Sequence, residues 1–404
     1  MTRIVVVGGS TGGVRSVQAL RRAGYTGELV LVSDEAHLPY DRPPLSKDPL
    51  AVGSDGAPVP LLTADDAKHL DVHLRLGTRA TALDPAARVV TLSSADGDDA
   101  IEYDVLVIAT GVTARRLPAT ENVDGVHVIR TLDDARAVQA LLGDGRRSVV
   151  IGAGFIGAEF AAAARAQQMD VTLVEAQQVP LSHILGEVVG AEVASLHEAH
   201  GSRLLAGVSV AEIVTADGRV EAVLLADGTR LPADLVVVGI GAAPATGWLE
   251  GSGLPVANGV ECDADLQVLG YPGVYAVGDI ARWPHPAYDE PIRIEHWTNA
   301  GDQAQIMAAH VVGAKRPAAP LPYVWSDQYG HRIQIVGRPS EGTASFVGGA
   351  MATGDLVTVY ADANGRAIGA LVVDDPRTLM QLRKAIAAGT AVADLEQSLL
   401  AVAN

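Results

Sequence analysis

The chain has 404 residues, of which 48% are hydrophobic but only 4% aromatic, a profile typical of an α/β protein with two or three domains. Its 30 Lys and Arg against 48 Asp and Glu give a net charge of -18, which argues against nucleic acid or an anionic membrane as a partner. The single cysteine excludes an intrachain disulfide and a redox-active dithiol. We expect Cys262 to be a small buried hydrophobic residue.

The N-terminus shows no targeting signal. Met1 leads directly into apolar β-branched residues, without a charged leader and a cleavage site. No apolar run reaches the roughly 18 residues that a membrane-spanning helix needs. We therefore expect a cytoplasmic protein.

A first nucleotide-binding unit is predicted at the start of the chain. Residues 4–7 predict a strand, 8–13 a glycine-rich turn, 14–22 a helix and 29–33 the next strand. Further strands are predicted at 88–92 and 105–108. Ser10 stands where the second glycine of a dinucleotide turn is expected, and its small hydroxyl side chain can still donate to a pyrophosphate. Asp34 is the candidate acid for the ribose, with Glu35 as an alternative.

A second copy of the same pattern begins near residue 148. Strand, glycine turn, helix and strand are predicted at 148–151, 152–157, 158–168 and 171–174, with later strands at 220–225 and 235–238. Glu175 directly follows the strand predicted at 171–174, where a carboxylate can hold both ribose hydroxyls and repel a 2'-phosphate. This favours NADH over NADPH. The alternative is a solvated glutamate at a strand end.

The last part of the chain differs from both copies. From about residue 322 onward there is no glycine-rich turn, and a helix is predicted at 378–388, so we expect a separate third domain. Residues 51–60 are rich in Gly and Pro and predict a surface loop.

Seven short motifs in a fixed order then carry a family resemblance. They are Pro39-Tyr40-Asp41-Arg42-Pro43-Pro44-Leu45-Ser46-Lys47, Ala109-Thr110-Gly111, Arg130-Thr131-Leu132-Asp133-Asp134, Gly239-Ile240-Gly241 with Pro244, Val274 to Asp279, Glu295 to Ala300, and Trp325 to Tyr329. With them the chain resembles the FAD-dependent NADH:ferredoxin reductases of bacterial oxygenase systems, the putidaredoxin reductase and biphenyl dioxygenase ferredoxin reductase type.

This resemblance implies a glutathione-reductase-like α/β fold. Two Rossmann-like dinucleotide-binding domains would be followed by a smaller C-terminal α+β domain. The FAD-binding domain would comprise residues 1–112 and 243–321, the NAD-binding domain residues 113–242, and the C-terminal domain residues 322–404.

The resemblance also assigns the cofactors, with FAD at the first glycine turn and NADH at the second. Asp279 would accept hydrogen bonds from the FAD ribityl chain, while Trp297 and Trp325 would flank the flavin ring. The residues implied for FAD are Gly8, Ser10, Thr11, Gly12, Gly13, Asp34, Glu35, Arg42, Pro43, Lys47, Ala80, Ala109, Thr110, Gly111, Arg130, Gly278, Asp279, Glu295, His296, Trp297 and Trp325. Those implied for NAD are Gly152, Gly154, Phe155, Ile156, Gly157, Glu159, Glu175, Gly239, Ile240 and Gly241.

Lys47 and Glu159 are the candidate catalytic pair. In the family a lysine near the flavin N5 faces a glutamate that helps to hold the nicotinamide carboxamide, and a cation there stabilises negative charge on reduced flavin. The alternative is a surface lysine and a helix glutamate with no mutual contact. The 11 histidines show no metal-binding spacing, so no metal site is expected.

The expected reaction passes hydride from NADH to FAD and then single electrons to a 2Fe-2S ferredoxin, which supplies a haem-thiolate monooxygenase or a Rieske dioxygenase. No cysteine lies near the first glycine turn or Lys47, which makes reduction of a substrate through a protein thiol improbable. The alternatives are a flavin-dependent NADH oxidase and an NADH/flavin redox-sensing binding protein. We expect a monomer or weak dimer.

Ferredoxin docking and NADH affinity carry two further expectations. An acidic ferredoxin would need a basic patch beside the flavin edge, and the candidates are Arg293, Lys315, Arg316, Arg332 and Arg338.

The loop 176–183 lacks the arginine usual in the family, having His183 near its end, which predicts weaker binding of NADH.

Overall fold

The computed structural model describes residues 2–288 and 290–395, so residues 396–404 of the predicted C-terminal domain and Met1 of the first domain lie outside the described part. The strands, in chain order, are β1 (Arg3–Val7), β2 (Glu28–Val32), β3 (Val72–Arg75), β4 (Thr78–Asp84), β5 (Val89–Ser94), β6 (Gly97–Glu102), β7 (Val105–Ile108), β8 (Val112–Ala114), β9 (Val126–His127), β10 (Arg147–Ile151), β11 (Asp170–Glu175), β12 (Arg203–Ala206), β13 (Val210–Ala216), β14 (Arg219–Leu225), β15 (Arg230–Pro232), β16 (Leu235–Val238), β17 (Ala242–Pro244), β18 (Val256–Ala257), β19 (Gly259–Glu261), β20 (Val274–Ala276), β21 (Ala281–Pro284), β22 (Pro291–Arg293), β23 (Tyr323–Gln328), β24 (His331–Gly337), β25 (Thr343–Gly348), β26 (Val357–Ala361) and β27 (Ala367–Val373).

The α-helices between these strands are α1 (Thr11–Arg22), α2 (Ala64–His69), α3 (Leu132–Gln139), α4 (Phe155–Ala166), α5 (Ser182–Ala199), α6 (Trp297–Val311) and α7 (Pro376–Ala387). The chain forms two compact units. Unit 1 comprises residues 1–42, 58–113 and 242–320, and unit 2 comprises residues 43–57, 114–241 and 321–404. The predicted division into three domains stays a prediction.

Unit 1 is built on a parallel sheet of strand order β20-β7-β1-β2-β3. Ile4 of β1 lies opposite Leu29 of β2 and Val105 of β7, so three apolar strands run side by side in one direction. Almost every residue of β1, β2 and β7 is buried, as expected for a parallel sheet covered on both faces. Helix α1 packs on this sheet and against α6. The carboxyl ends of β1 and β7 therefore meet beside the start of α1.

Unit 2 contains a second parallel sheet of order β12-β11-β10-β16-β9. Ser148 of β10 lies opposite Val171 of β11 and Leu235 of β16, which repeats the arrangement found in unit 1. Helix α4 connects β10 to β11 and packs on both strands. The repeat seen in the sequence therefore corresponds to two sheets with the same local topology.

The C-terminal residues of unit 2 form an antiparallel sheet of order β23-β24-β27-β26-β25. Helix α7 packs on β27 and β24, and the side chain of Asp375 caps its first turn by accepting from the N–H groups of Arg377 and Thr378. Strand β23 lies against α4, which brings the C-terminal sheet next to the second glycine turn. The predicted α/β fold class with a C-terminal α+β part is confirmed.

Both helices after the glycine turns begin three residues earlier than predicted, at Thr11 and Phe155. The final glycine of each motif, Gly13 or Gly157, lies inside the first helical turn. A Cβ at either position would collide with the carbonyl oxygen of the glycine that opens the turn. The glycines are therefore needed for close packing within the helix start as well as for the turn.

Among the helices of residues 2–288 and 290–395, none combines the length and apolar character needed to cross a lipid bilayer.

Candidate dinucleotide and redox site

The first glycine turn, in unit 1, closes tightly on the neighbouring strand. Gly8 has a φ of +122°, and a Cβ there would overlap the carbonyl oxygen of Ala109 after β7. Helix α1 begins with Ser10 as its N-cap residue, and the side chain of Ser10 makes no capping hydrogen bond. The first N–H groups of α1 are therefore available to an anionic group, and the helix dipole favours negative charge there.

Ser10 is the residue that departed from the expected glycine pattern. Its Oγ accepts a hydrogen bond from Nε of Arg42 at 3.0 Å, and Nη2 of Arg42 pairs with Glu35 at 2.6 Å. In unit 2 the same position is Gly154, where an added Cβ would meet no heavy atom within 4 Å. A side chain at this position thus has room, and Ser10 uses it to contact a predicted FAD-binding arginine.

The two candidate ribose acids of unit 1 have different surroundings. Asp34 is half exposed and lies 3.6 Å from Arg79, whereas Glu35 is largely buried, paired with Arg42 and hydrogen-bonded by Tyr40. The N–H of Gly8 donates to the carbonyl oxygen of Val32, and the N–H of Gly152 donates to that of Val174, so Val32 and Val174 are equivalent. The residue equivalent to Glu175 in unit 1 is therefore Ser33. Both Asp34 and Glu35 stay candidates.

A second part of the predicted FAD site lies where β20 ends. Gly278 has a φ of +83°, and its N–H donates to Oε1 of Gln303, a residue with no exposed surface, at 2.7 Å. The carbonyl oxygen of Asp279 accepts from Arg293 at 3.0 Å, and Arg293 pairs with Glu295 at 2.6 Å. The backbone on both sides of the Gly278–Asp279 peptide is therefore fixed. Nε2 of Gln303 has no partner among the described residues, which leaves a buried donor for a ligand.

Trp297 opens α6 and is held from two sides. Its Nε1 donates to Oδ1 of Asp41 at 2.6 Å, and the guanidinium of Arg15 lies 5.5 Å from the centre of its ring. Burial raises the pKa of Asp41. The preceding residue, His296, has its pKa lowered to about 4 by burial, and its Nδ1 finds no partner within residues 2–288 and 290–395. Neutral His296 is thus a second buried polar group fit for a ligand.

The remaining predicted FAD residues divide between the units. In unit 1, Thr110 donates to the carbonyl oxygen of Ala245 at 3.1 Å, Gly111 has a φ of +66°, and Ala80 lies in β4. In unit 2 lie Pro43, Lys47, Trp325, whose ring stacks on that of Tyr323 at 6.0 Å, and Arg130, whose backbone N–H donates to Asp134. The assignment of these residues to FAD stays a prediction.

The second glycine turn, in unit 2, has the same geometry as the first. Gly152 has a φ of +97°, and a Cβ there would overlap the carbonyl oxygen of Gly239, which follows β16. Gly154 is the N-cap of α4 and the first helical residues, Phe155 and Ile156, follow it directly. Ile240 is more than one-third exposed at the edge of this turn. The strand ends, the open Gly154 position and the uncapped helix start fit a dinucleotide pyrophosphate.

Glu175 lies at the end of β11, as predicted, and faces the glycine turn. One carboxylate oxygen, Oε2, accepts from the N–H of Ala153 at 2.9 Å, and the other, Oε1, accepts from the N–H of Gln177 at 2.9 Å. The side chain is thus oriented by backbone on both sides. The loop predicted at 176–183 ends earlier, since Ser182 and His183 already belong to α5. His183 is exposed, with its Nδ1 3.3 Å from Oε1 of Gln177.

Lys47 and Glu159 lie in direct contact. The Lys47 ammonium is 2.8 Å from Oε2 of Glu159 and donates to the carbonyl oxygen of Pro43 at 3.0 Å. Glu159, in α4, is only 4% exposed. A buried carboxylate is stable only when it is paired and hydrogen-bonded, so the ion pair accounts for the charge of Glu159. The contact predicted between these two residues is therefore present in unit 2.

Two serines complete the environment of Glu159. Ser46 donates to Oε2 at 2.5 Å, and Ser326 of β23 donates to Oε1 at 2.7 Å. Neither serine was predicted as a site residue, nor were Asp41 and Gln303. Asp41, Ser46 and Ser326 stand inside the quoted motifs, whereas Gln303 lies in α6 beyond the Glu295 to Ala300 motif and had no signal in the sequence.

The single cysteine lies in the interior, as expected from the sequence. Cys262 is buried, and burial raises the pKa of its thiol to about 12. Within residues 2–288 and 290–395, no group of three or more His, Cys, Asp or Glu side chains is arranged to hold a metal ion.

Comparison with known proteins gives matches along nearly the whole chain. The pyridine nucleotide-disulphide oxidoreductase family model matches residues 2–304, and the reductase C-terminal model matches residues 323–399. The chain is 36% identical to rhodocoxin reductase of Rhodococcus erythropolis over 95% of its own length and 89% of the relative's. It is also 36% identical to the ferredoxin–NAD(+) reductase component of the p-cumate 2,3-dioxygenase system of Pseudomonas putida, over 95% and 93% of the two chains.

Among solved structures, the covalent complex of putidaredoxin reductase with putidaredoxin is similar to this chain. The TM-score is 0.90 with 34% sequence identity, and the match covers 96% of this chain and 93% of the other. The similarity therefore extends through both glycine turns and the C-terminal sheet.

Proposed function

The chain belongs to the pyridine nucleotide-disulphide oxidoreductase family, and on that basis we propose that it is an FAD-dependent NADH:ferredoxin reductase of an oxygenase system. The expected family and fold class are confirmed, and FAD and NAD(H) are the cofactors that family membership implies. The expected activity agrees with the relatives, which are reductase components that serve ferredoxins.

The proposal rests on two glycine turns whose helix N-termini have no side-chain cap, in a chain whose single cysteine is too buried to react as a thiolate. When bound, FAD takes up two electrons as a hydride from NADH and releases them one at a time to two ferredoxin molecules. Reduction of a disulfide by this chain would require a reactive cysteine. Its single cysteine, Cys262, is buried, with a thiol pKa raised to about 12, so the electrons must leave for an external carrier.

The residues of the chain have distinct parts in this function. The first N–H groups of α1 and α4 bind the two pyrophosphates, and Glu175 binds the ribose of NADH. Asp279 orients the flavin side chain, while Trp297, held by Asp41, packs beside the ring. The ammonium of Lys47 holds positive charge near the reduced flavin, and Glu159 fixes that ammonium and orients the nicotinamide carboxamide.

A ferredoxin is the partner that the relatives support, and a 2Fe-2S protein docking beside the flavin edge is our proposal for this chain. Four of the five candidate docking cations are already ion-paired, as Arg293 with Glu295, Arg316 with Asp265, Arg332 with Asp327, and Arg338 with Glu341. Docking would therefore use cations whose charge is partly neutralised. A monomer or weak dimer is the proposed oligomeric state.

The test is cytochrome c reduction by the purified yellow protein with NADH or NADPH, with and without ferredoxins from the same source. We expect turnover to require both NADH and a ferredoxin. Steady consumption of oxygen without ferredoxin would instead indicate an NADH oxidase. Fast flavin reduction followed by slow reoxidation with every ferredoxin would indicate a redox-sensing binding protein.

A further inference from the structure

We propose that Ser326, in the C-terminal sheet, is a positioning residue that holds Glu159 in place for hydride transfer. The proposal rests on the function proposed above. Ser326 has no exposed surface and donates to Oε1 of Glu159 at 2.7 Å, although the two residues are 167 positions apart in the chain. A buried hydroxyl facing a buried carboxylate makes a short charge-assisted hydrogen bond, which is stronger than one between neutral groups.

The direction of this hydrogen bond is fixed by the surrounding groups. An ionised carboxylate only accepts, so the hydrogen of the Ser326 hydroxyl must point to Glu159. The amide nitrogen Nε2 of Gln328, a residue 1% exposed, donates to Oγ of Ser326 at 3.1 Å and occupies its acceptor side. Gln328 thereby keeps Ser326 in the orientation that serves Glu159.

Within the part of the chain that the structure describes, Glu159 receives four donors. Oε2 accepts from Lys47 at 2.8 Å and from Ser46 at 2.5 Å, and Oε1 accepts from Ser326 at 2.7 Å and from the N–H of Asp327 at 3.3 Å. Donors on both carboxylate oxygens restrict how far the Glu159 side chain can turn. Because the N–H of Asp327 is the most distant donor, Ser326 is the principal anchor of Oε1.

The anchor therefore acts on the reaction through Glu159. Removing the hydroxyl leaves Oε1 with one long hydrogen bond, so the carboxylate can rotate and the Lys47 ammonium loses its fixed position. We expect this to slow hydride transfer, since a small misplacement of a positioned group lowers the rate. Binding of the adenosine half of NADH, assigned to the Gly152 turn and Glu175, should be unaffected.

The experiment uses the full-length FAD-loaded protein and stopped-flow flavin reduction by NADH. Ser326→Ala should lower the limiting rate constant of flavin reduction by about tenfold, the size expected from losing one hydrogen bond to a charged group. The matched control is Ser345→Ala, the same substitution at an exposed position of the same sheet. The inhibition constant of ADP, which lacks the nicotinamide, reports on general damage to nucleotide binding and should stay unchanged.

A double variant tests whether Ser326 acts through Glu159. In a Glu159→Ala background, Ser326→Ala should change the rate constant by less than about twofold, because the side chain that Ser326 anchors is already gone. Equal effects of Ser326→Ala in both backgrounds, or equal rates for Ser326→Ala and Ser345→Ala, would overturn the proposal. Failure of the wild-type protein to reduce any ferredoxin would instead contradict the proposed function, and flavin reduction by NADH would still measure the effect of Ser326.

Discussion

Glu175 is hydrogen-bonded into the glycine turn that it faces, with its Oε2 atom 2.9 Å from the backbone nitrogen of Ala153. The carboxylate is thus oriented before any nucleotide arrives. We expect Glu175→Gln to lower kcat/KM with NADH by about tenfold and to raise the ratio of NADPH to NADH turnover, since the charge that repels a 2'-phosphate is lost.

The measurement is steady-state ferricyanide reduction with each nucleotide. Glu187→Gln is the matched control, because Glu187 is an exposed residue of α5. An unchanged nucleotide preference in Glu175→Gln would contradict the assignment of Glu175 to the ribose.

His183, in place of the arginine usual in the family, gives a second prediction. The side chain is exposed, with its Nδ1 3.3 Å from Oε1 of Gln177, so a longer side chain can extend into solvent. His183→Arg should lower the KM for NADH several-fold by adding a cation near the nucleotide phosphates, with little effect on kcat. His69→Arg, at an exposed position of α2, is the control, and an unchanged KM in His183→Arg would argue against the interpretation.

Ionic docking of the ferredoxin predicts a selective effect of salt. Ferredoxin-dependent turnover should fall steadily as ionic strength rises, because the Debye length shortens from about 30 Å at 0.01 M to about 10 Å at 0.1 M. Turnover with ferricyanide, which needs no protein docking, should stay nearly flat. An equal response to salt in the two assays would show that docking does not depend on surface charge.

His197 predicts a dependence of stability on pH. It is 2% exposed and lies 2.9 Å from the hydroxyl of Tyr329, and burial lowers its pKa from 6.5 to about 4. Between these values the unfolded chain binds the proton more readily than the folded one. The contribution of neutral His197 is therefore complete above pH 6.5 and is lost as pH falls towards 4, by at most about 1.4 kcal/mol per pH unit.

Denaturant unfolding at pH 7, 6 and 5 measures this effect. His197→Asn should flatten the pH dependence of the free energy of unfolding relative to the wild type. His69→Asn, at an exposed position, should not. Parallel curves for the wild type and His197→Asn would show that the histidine is not responsible.

The parts of the site that could be predicted from sequence are those set by local chain geometry. A positive φ at Gly8 and Gly152 and the strand-to-helix turn depend on neighbouring residues, so the pattern alone was sufficient. The start of α4 at Phe155 was predicted too late, because the glycines of the motif read as turn residues although the last of them packs inside the helix.

The environment of Glu159 could not be predicted in this way. Ser326 and Glu159 are distant in sequence, and their contact depends on how β23 lies against α4. A buried serine in a strand has no distinctive pattern, whereas Lys47 was found only because its motif is typical of a family. The choice between Asp34 and Glu35 likewise depends on Arg42 and Arg79, whose positions the sequence does not specify.

Because residues of strand β23 hydrogen-bond to Glu159, the C-terminal sheet cannot be exchanged freely for that of another protein. A chimaera that joins the nucleotide-binding part of this chain to the C-terminal part of another reductase would keep the hydrogen bonds of Glu159 only under one condition. The incoming strand must place a hydroxyl and a backbone N–H where Ser326 and Asp327 meet Glu159. In such a chimaera, the fit of the two parts therefore depends on two adjacent residues of β23 as well as on the domain surfaces.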